Sequence, residues 1–223
     1  VYSSSVESNG EAQFVASIGD PKLWSPDEPN LYTCTVRYGS DSAQETFGIR
    51  VVECDVTNGL RINGERVVLR GSCVHHDNGI LGARAFAEAR KVRILKQNGY
   101  NAIRSAHNPC SKALLDACDR LGMLVLDEYV DVWYIHKNMF DYAGYVADWW
   151  QQDVQDMIDK DYNHPSVVMY SMGNEVSETA QPRGIMLSRQ MTEFCHRHDP
   201  TRPVTCGINI FFNYLSSIGL GVY

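Results

Sequence analysis

Long apolar runs and clusters of like charge are both missing from this sequence. No stretch approaches the roughly 18 consecutive apolar residues that a membrane helix requires, and the polar opening VYSSSVESNGEA lacks the form of a signal peptide. The 20 Lys and Arg and the 27 Asp and Glu give a formal net charge of -7, spread without runs of one sign. Because a nucleic-acid-binding surface needs clustered Lys and Arg, we expect neither a nucleic-acid partner nor a membrane partner.

Paired cysteines are also missing. The seven cysteines are odd in number and widely spaced, and no two of them form a C-x-x-C motif. We interpret them as small buried hydrophobic residues of a reducing compartment. This interpretation favours the cytoplasm, while secretion or export to a periplasm stays open. A metal site is not indicated either, because the consecutive residues His75, His76 and Asp77 cannot easily chelate one ion and no fourth ligand is evident.

Residues 1–55 are predicted to be the end of a β-sandwich domain. The segments AQFVASI, LYTCTVRYG and AQETFGIRVVEC are rich in β-branched and aromatic residues and are separated by turn-forming residues. Three strands are too few for an independent sandwich. Val1 is not an initiator Met, and the final SSIGLGVY stops inside a continuing pattern. We therefore expect the chain to be a segment of a longer protein.

Residues 56–223 are predicted to form a second domain, in which strands alternate with helices. The predicted strands lie in ERVVLRGSCVHH, YNAIRSAHNP, MLVLDEYV, SVVMYSMGNEV and RPVTCGIN. Apolar residues recur at helical spacing between them, and the first three helices are expected to end at Gly99, at Gly122 and before Pro165. Uniformly apolar strands that alternate with helices predict a parallel sheet with a covered outer face.

Two architectures fit this alternation, an open doubly wound sheet and a barrel. The turn HHDNGILGARAF lacks the G-x-G-x-x-G motif of a nucleotide-binding sheet, which weakens the first. In a barrel, the strand ends converge on one mouth, where active sites lie. We therefore predict an α/β fold that is a partial (β/α)8 TIM barrel, comprising about the first four to five βα units. Polar residues follow four successive strands: His75 and His76, Arg104 and His107, Asp127 and Glu128, and Asn174 and Glu175.

The fourth strand ends in two polar residues, Asn174 and Glu175. Adjacent residues of a regular strand face opposite sides, so both side chains reach the mouth only if the strand ends or bends there. Gly173 makes such a bend easy. A carboxylic acid at this position can serve as a proton donor. The alternative is a structural carboxylate bound to a neighbouring Arg.

Four motifs, SMGNE after NHPSVVMY, AIRSAHNP, LRGSCVHHDNGILGA and LVLDEYVDVW, resemble the successive strand-end motifs of glycoside hydrolase family 2. That family contains bacterial β-galactosidases, β-glucuronidases and β-mannosidases. The resemblance covers almost the whole chain, since residues 1–55 are similar to the tail of the immunoglobulin-like β-sandwich domain that precedes the family's barrel. It implies a glycoside hydrolase that hydrolyses O-glycosyl bonds as a retaining exo-β-glycosidase.

The resemblance also implies a role for each matching residue. Glu175 would be the general acid/base, and Asn174 would bind the 2-hydroxyl of the sugar. Arg104 would orient the nucleophilic carboxylate. His75 and His107 would line the subsite for the non-reducing sugar, although two strand-end histidines bonded to backbone are the alternative.

Two further residues would complete the pocket. Asp127 would form its floor and Trp133 its wall, since a Trp ring offers a flat apolar face to a sugar. A structural ion pair is an equally good interpretation of Asp127 and Glu128. The family's nucleophile is a second Glu at the end of the seventh strand, and this sequence stops at the fifth. A retaining mechanism needs both carboxyl groups, so we expect the segment alone to be inactive.

The segment HHDNGILGA looks like the β-galactosidase branch of the family, because β-glucuronidases usually show His-Glu-Asp there. The expected partner is therefore a carbohydrate substrate, a terminal β-galactoside. A β-glucuronidase, a β-mannosidase or a non-catalytic carbohydrate-binding barrel are the alternatives. No cofactor follows from these residues. A requirement of the full-length enzyme for a divalent or monovalent cation stays open, as does assembly into a homo-oligomer.

Overall fold

The computed structural model of the protein describes residue 10 and residues 12–219, apart from the side chains of residues 212 and 216. The strands β1 (Tyr32–Tyr38) and β2 (Asp41–Phe47) form an antiparallel hairpin. Residues 12–18 have no strand partner and lie outside any strand, so the prediction of a strand in AQFVASI is wrong. Gly48, which directly follows β2, packs tightly against Pro165, since a Cβ on Gly48 would lie 2.5 Å from Pro165 Cγ.

A second antiparallel sheet follows. It contains β3 (Val52–Asp55), β4 (Gly59–Ile62) and β5 (Glu65–Arg66), in that order. The predicted strand AQETFGIRVVEC therefore divides between two sheets, as β2 and β3. The β3–β4 hairpin spans the expected domain boundary at residues 55 and 56, where the Asp55 carboxylate accepts bonds from the backbone N–H groups of Thr57 and Asn58.

A five-stranded parallel sheet forms the larger part of the molecule. Its spatial order equals its order in the sequence, with each strand hydrogen-bonded to the next. A doubly wound sheet reverses its strand order at a switch point, whereas a barrel adds each strand beside the preceding one, as here. The prediction of a partial (β/α)8 barrel is confirmed. The strands are β6 (Gly71–Val74), β7 (Ala102–Ser105), β8 (Leu124–Glu128), β9 (Val167–Ser171) and β10 (Val204–Thr205).

Helices alternate with these strands. Gly122 adopts a left-handed conformation with φ of 68° immediately after the second helix, which is the usual role of a Gly at this position. The last helix begins within five residues of the final strand, and the apolar pattern of the sequence does not predict it. The helices are α1 (Ala85–Gln97), α2 (Lys112–Leu121), α3 (Ala143–Asp161), α4 (Pro182–His198) and α5 (Ile210–Ser217).

The main hydrophobic core lies between the parallel sheet and the helices. Val125 and Tyr170 of the sheet pack there with Leu115 of α2 and Ile158 of α3. Burial of these apolar faces is what holds the helices on the sheet, because each fully buried side chain of this size contributes about 1.5–3 kcal/mol. None of the helices in the described residues combines the length and apolarity that crossing a membrane requires.

A second apolar cluster joins the N-terminal part of the chain to the start of the barrel strands. Trp24 is fully buried against Leu124 and Val168, and its indole N–H donates to the Asp119 carbonyl at 2.9 Å. The end of the barrel that carries the strand N-termini is therefore closed by packing. The opposite end, where the strands terminate, is free to carry polar side chains.

Gly122 lies where the N-terminal part packs on the barrel, and this generates a prediction about stability. An added Cβ would overlap the Pro26 carbonyl group and would be strained by the positive φ. We expect Gly122→Ala to lower the free energy of unfolding by about 2–5 kcal/mol. Gly99→Ala is the matched control, because Gly99 has a φ of 84° but open space around it. It should cost only about 1–2 kcal/mol. Equal shifts in the thermal unfolding of the two full-length variants would contradict this packing.

Candidate active site

The parallel register determines which strand-end side chains meet. Arg104 on β7 is paired with Leu126 on β8, and Glu128 on β8 is paired with Ser171 on β9. Because alternate residues of a strand share a face, Arg104, Glu128 and Ser171 all point to the inner side of the sheet, at the carboxyl end of their strands.

A buried ion pair joins the second strand of the parallel sheet to the third. Arg104 Nε lies 3.0 Å from Glu128 Oε2, and Arg104 Nη2 lies 2.9 and 2.8 Å from the two carboxylate oxygens. The hydroxyl of Ser171 donates to Glu128 Oε2 at 2.7 Å. Burial alone would lower the pKa of Arg104, but the bond to Glu128 outweighs it and the pKa is raised. The hydrogen bonds to the Glu128 carboxylate thus fix the position of the Arg104 guanidinium.

Asn174 connects this ion pair to the fourth strand of the sheet. Its Oδ1 accepts a bond from Arg104 Nη2 at 2.6 Å, and its Nδ2 donates to Asp131 Oδ1 at 2.8 Å. Its backbone N–H donates to the Val130 carbonyl at 3.2 Å. The first two bonds determine the orientation of the side-chain amide, and the third fixes the backbone that carries it. The arrangement brings Arg104 and Asn174, both predicted to be site residues, into direct contact.

The expected bend after the fourth strand is present. The strand β9 ends at Ser171, and Glu175 has a left-handed φ of 48°. A Cβ on Gly173 would lie 2.9 Å from Val176 Cγ1 and 3.0 Å from Trp133 Nε1, so Gly at this position permits a close approach.

Glu175 is exposed, in contrast to its buried neighbours Asn174 and Val176. A Cβ on Gly207 would lie 3.3 Å from the Glu175 backbone N and 3.5 Å from Arg104 Nη2. The Glu175 backbone and the Arg104 guanidinium therefore both approach Gly207 at the barrel mouth. An exposed carboxylic acid at the barrel mouth can in principle exchange a proton with a ligand.

The two predicted histidines also lie at this mouth. The rings of His75 and His107 meet edge to face with their centroids 5.2 Å apart. His107 Nδ1 lies 3.4 Å from Glu128 Oε1, and the His107 side chain is 36% exposed. Beside His107, a groove of about 520 Å³ opens between the loops after β7 and β8 and the helix α3. Its mainly apolar floor includes Pro109, Tyr129 and Met157.

Asp127 does not lie at the mouth, and the prediction that it forms the pocket floor is wrong. It alternates with Glu128 and therefore faces the helices. Its fully buried carboxylate accepts bonds from the Cys110 backbone N–H at 3.0 Å and from Lys160 Nζ at 2.9 Å. Burial tends to lower the pKa of Lys160, but Asp127 and Asp161 outweigh it and raise that pKa. The position of Asp127 agrees with the alternative interpretation, a structural ion pair, and its partner is Lys160.

Trp133 offers no face to a ligand, contrary to the predicted pocket wall. It is fully buried, and its indole N–H donates to the Met172 carbonyl at 2.9 Å. Its ring lies against Gly173, as the close approach described above shows. Trp133 therefore supports the bend beneath Asn174 and Glu175.

The loop after the third strand contributes residues that the motifs did not predict. Lys137 Nζ lies 2.9 Å from Asp131 Oδ1. Glu178 Oε1 accepts bonds from the backbone N–H groups of Tyr134 and Ile135, both at 2.8 Å. Asp131 could have been found in the sequence from its position three residues after Glu128. Lys137 had no such signal, because one of its contacts, with the Asn174 carbonyl, is made across the fold.

Asp131 is held as an anion by this loop. Burial tends to raise the pKa of Asp131, but the hydrogen bonds from Lys137 and Asn174 outweigh it and the pKa is lowered. A different group with the spacing of metal ligands, Asp116, Asp119 and His164, occurs in the described part of the chain. It lies at the opposite end of the sheet from the mouth, and Asp119 there bonds His164 at 2.5 Å.

The fold and site together define the first half of a (β/α)8-barrel domain with a polar, carboxyl-bearing site at its mouth. A family model described as glycosyl hydrolases family 2, TIM barrel domain, matches residues 54–223. A second model, glycosyl hydrolases family 2, matches residues 2–50. The chain therefore belongs to glycosyl hydrolases family 2, and the resemblance drawn from its four motifs is confirmed.

Individual relatives agree with this assignment. The chain is 36% identical to the beta-galactosidase BoGH2A of Bacteroides ovatus over 86% of its length and 27% of the relative. It is 39% identical to a putative beta-glucuronidase of Formosa agariphila, over 84% of the chain and 18% of the relative. A crystal structure of a family 2 member from Bacteroides cellulosilyticus is 42% identical with a TM-score of 0.79, over 88% of the chain and 27% of that structure. The chain thus spans about a quarter of these proteins or less.

We predict that loss of the Glu128 carboxylate lowers the free energy of unfolding more than loss of an exposed carboxylate does. Glu128→Gln removes the charge that faces a half-buried guanidinium, so we expect the free energy of unfolding to fall by about 3 kcal/mol. Glu53→Gln is the matched control. Its carboxylate lies 3.2 Å from Arg61 and its side chain is 43% exposed, so the loss should stay below about 1 kcal/mol. If thermal unfolding shifts equally in both full-length variants, Glu128 does not stabilise the mouth.

Proposed function

We propose that this chain is part of a retaining exo-β-glycosidase that removes terminal β-linked galactose, with Glu175 as the general acid/base. The observation that carries the proposal is the 2.6 Å bond between Arg104 Nη2 and Asn174 Oδ1. It joins two separate strand-end motifs into one polar site, and Glu175 follows directly on its rim. Membership of the family supports hydrolysis of a glycosidic bond.

The side chains of Asn174 and Glu175 have polar groups that suit this chemistry. The Asn174 amide donates one N–H to Asp131 and keeps a second one, which would bind the sugar 2-hydroxyl. That bond strengthens as the anomeric carbon becomes cationic. Glu175 would protonate the glycosidic oxygen as it leaves, and would then activate the water that releases the sugar.

Arg104 has donors available for the nucleophile. Its Nε and Nη2 are bound to Glu128 and Asn174, whereas Nη1 contacts only the weak acceptor Cys73 Sγ at 3.6 Å within the described residues. The guanidinium would therefore orient and keep ionised the carboxylate that attacks the anomeric carbon. That carboxylate must lie about 5–5.5 Å from the acid/base.

No described carboxylate after Glu175 is suited to be the nucleophile. Glu178 is buried and bonded to the backbone of the loop after β8. Glu193 pairs with Arg189 on the outside of α4, and Asp199 pairs with Arg202. As the family resemblance implies, the nucleophile would belong to a later strand of the full-length protein, and the 223-residue chain alone should be inactive.

Substrate choice is tested with aryl glycosides on the full-length protein. The segment HHDNGILGA and the Bacteroides ovatus relative support galactose. The Formosa agariphila relative supports a β-glucuronidase as the second candidate. We expect kcat/KM on a nitrophenyl β-galactoside to exceed that on the β-glucuronide by about 10²-fold. The reverse ranking would establish the second candidate, and sugar binding without any hydrolysis would indicate a carbohydrate-binding protein.

The acid role of Glu175 is tested by the leaving-group dependence. Glu175→Gln cannot donate a proton, so kcat/KM on a β-galactoside with a poor leaving group, such as lactose, should fall by about 10³-fold. On a dinitrophenyl galactoside, which needs no protonation, the loss should be far smaller. Glu193→Gln, which changes an exposed carboxylate on α4, is the control and should leave both rates unchanged. Equal losses on both substrates would contradict the acid role.

A further inference from the structure

Lys137 occupies the middle of the loop between β8 and α3, and its ammonium group is surrounded by three oxygens. Nζ lies 2.6 Å from the Asn174 carbonyl, 2.8 Å from the Asp131 carbonyl and 2.9 Å from Asp131 Oδ1. An ammonium group has three N–H donors, so all of them are used. The side chain is 26% exposed, which leaves the bonds partly shielded from water.

The first of these bonds acts on the peptide that precedes Glu175. The Asn174 carbonyl belongs to the peptide group whose N–H is that of Glu175. Glu175 has a φ of 48°, a left-handed conformation that costs a residue with a Cβ about 1–2 kcal/mol. Such a conformation persists only where surrounding contacts fix it. Lys137 supplies one such contact, and the bond from the Val176 N–H to the Gly207 carbonyl at 3.3 Å supplies another.

The other bonds act on the Asn174 side chain through Asp131. Asp131 Oδ1 accepts bonds from both Lys137 Nζ and Asn174 Nδ2. Since these bonds lower the pKa of Asp131, its carboxylate stays ionised at neutral pH and pairs with the ammonium. Lys137 thus contacts the backbone of Asn174 directly and its side chain through one intervening carboxylate.

The loop is also held by contacts other than those of the ammonium group. The backbone N–H of Lys137 donates to Asp141 Oδ2 at 2.6 Å, and that of Asn138 donates to the same oxygen at 2.9 Å. Glu178 binds the backbone of Tyr134 and Ile135. A change confined to the Lys137 side chain should therefore leave the course of the loop intact.

We infer that Lys137 is a positioning residue, which holds the Asn174–Glu175 peptide so that the Glu175 carboxyl group meets the glycosidic oxygen. This inference deepens the proposed function and rests on it. Lys137 acts on the reaction only through Asn174 and Glu175. The ammonium group bonds the peptide before Glu175 directly but reaches the sugar-binding amide of Asn174 only through Asp131, so its loss should impair proton donation more than sugar binding.

The kinetic test uses Lys137→Met in the full-length protein, because Met retains the length of the side chain without its donors. We expect kcat/KM on lactose to fall about 50–100-fold, since misplacement of a catalytic group by about 1 Å costs that much. On a dinitrophenyl galactoside the loss should stay below about 5-fold, because that leaving group needs no proton. Lys137→Arg, which retains the charge and the donors, should recover part of the loss. Equal losses on both substrates, or no loss, would overturn the inference.

Lys96→Met is the matched control. Lys96 Nζ also donates to two backbone carbonyls, those of Pro26 and Gly122, both at 2.8 Å. These contacts lie at the end of the sheet opposite the mouth. The control should lower the unfolding temperature without changing the ratio of the two rates.

A crystallographic comparison tests the inference without any activity. In the Lys137→Met variant of the full-length protein, the Asn174–Glu175 peptide should turn or shift from its position in the wild type, and Lys137→Gln replaces this variant if it does not fold. An unmoved peptide would overturn the positioning role, whatever the kinetics. If the wild type hydrolyses neither galactoside, the proposed function fails, and the crystallographic result alone decides the role of Lys137.

Discussion

The ion pair between Arg104 and Glu128 is the interaction on which the barrel mouth depends. A buried carboxylate is costly unless it is paired and hydrogen-bonded, and Glu128 is fully buried. Arg104 satisfies its charge, the Ser171 hydroxyl adds a further bond, and the same guanidinium binds Asn174. Three neighbouring strands are thereby tied together at their carboxyl ends. Removal of either member of the ion pair would leave the charge of the other without its partner.

The parallel strands and the loop after β8 position different residues of this mouth. The strands place Arg104 and Glu128 with the precision of a hydrogen-bonded ladder, since their positions follow from register. The end of β9 has no such ladder. There the chain turns through a left-handed residue, Glu175, and its conformation is fixed by side chains of the loop, chiefly Lys137 and Asp131. The backbone before Glu175 is therefore positioned by contacts with the loop, whereas the neighbouring Arg104–Glu128 pair is positioned by the sheet.

Sequence patterns predicted the alternating strands and helices and the convergence of strand ends, because apolar periodicity and Gly or Pro stops are local signals. These patterns could not show whether Asp127 or Glu128 faces the mouth. A strand that is buried on both faces is apolar on both, so its sequence does not reveal which residues point inward. Trp133 was misjudged because an aromatic residue suits a sugar pocket and a buried support equally well. Lys137 was missed because the Asn174 carbonyl that it binds lies 37 residues further along the chain. No local sequence pattern encodes such a contact.

The central claim is that Asn174, which the Arg104–Glu128 pair fixes, and the adjacent Glu175 act together on a sugar at the barrel mouth. The most direct measurement is a crystal structure of the full-length protein with galactose bound. The account predicts that the Asn174 amide lies within hydrogen-bond distance of the sugar 2-hydroxyl and that the Glu175 carboxyl group faces the anomeric oxygen. Galactose bound away from both residues, or a Glu175 carboxyl group directed away from the sugar, would contradict it.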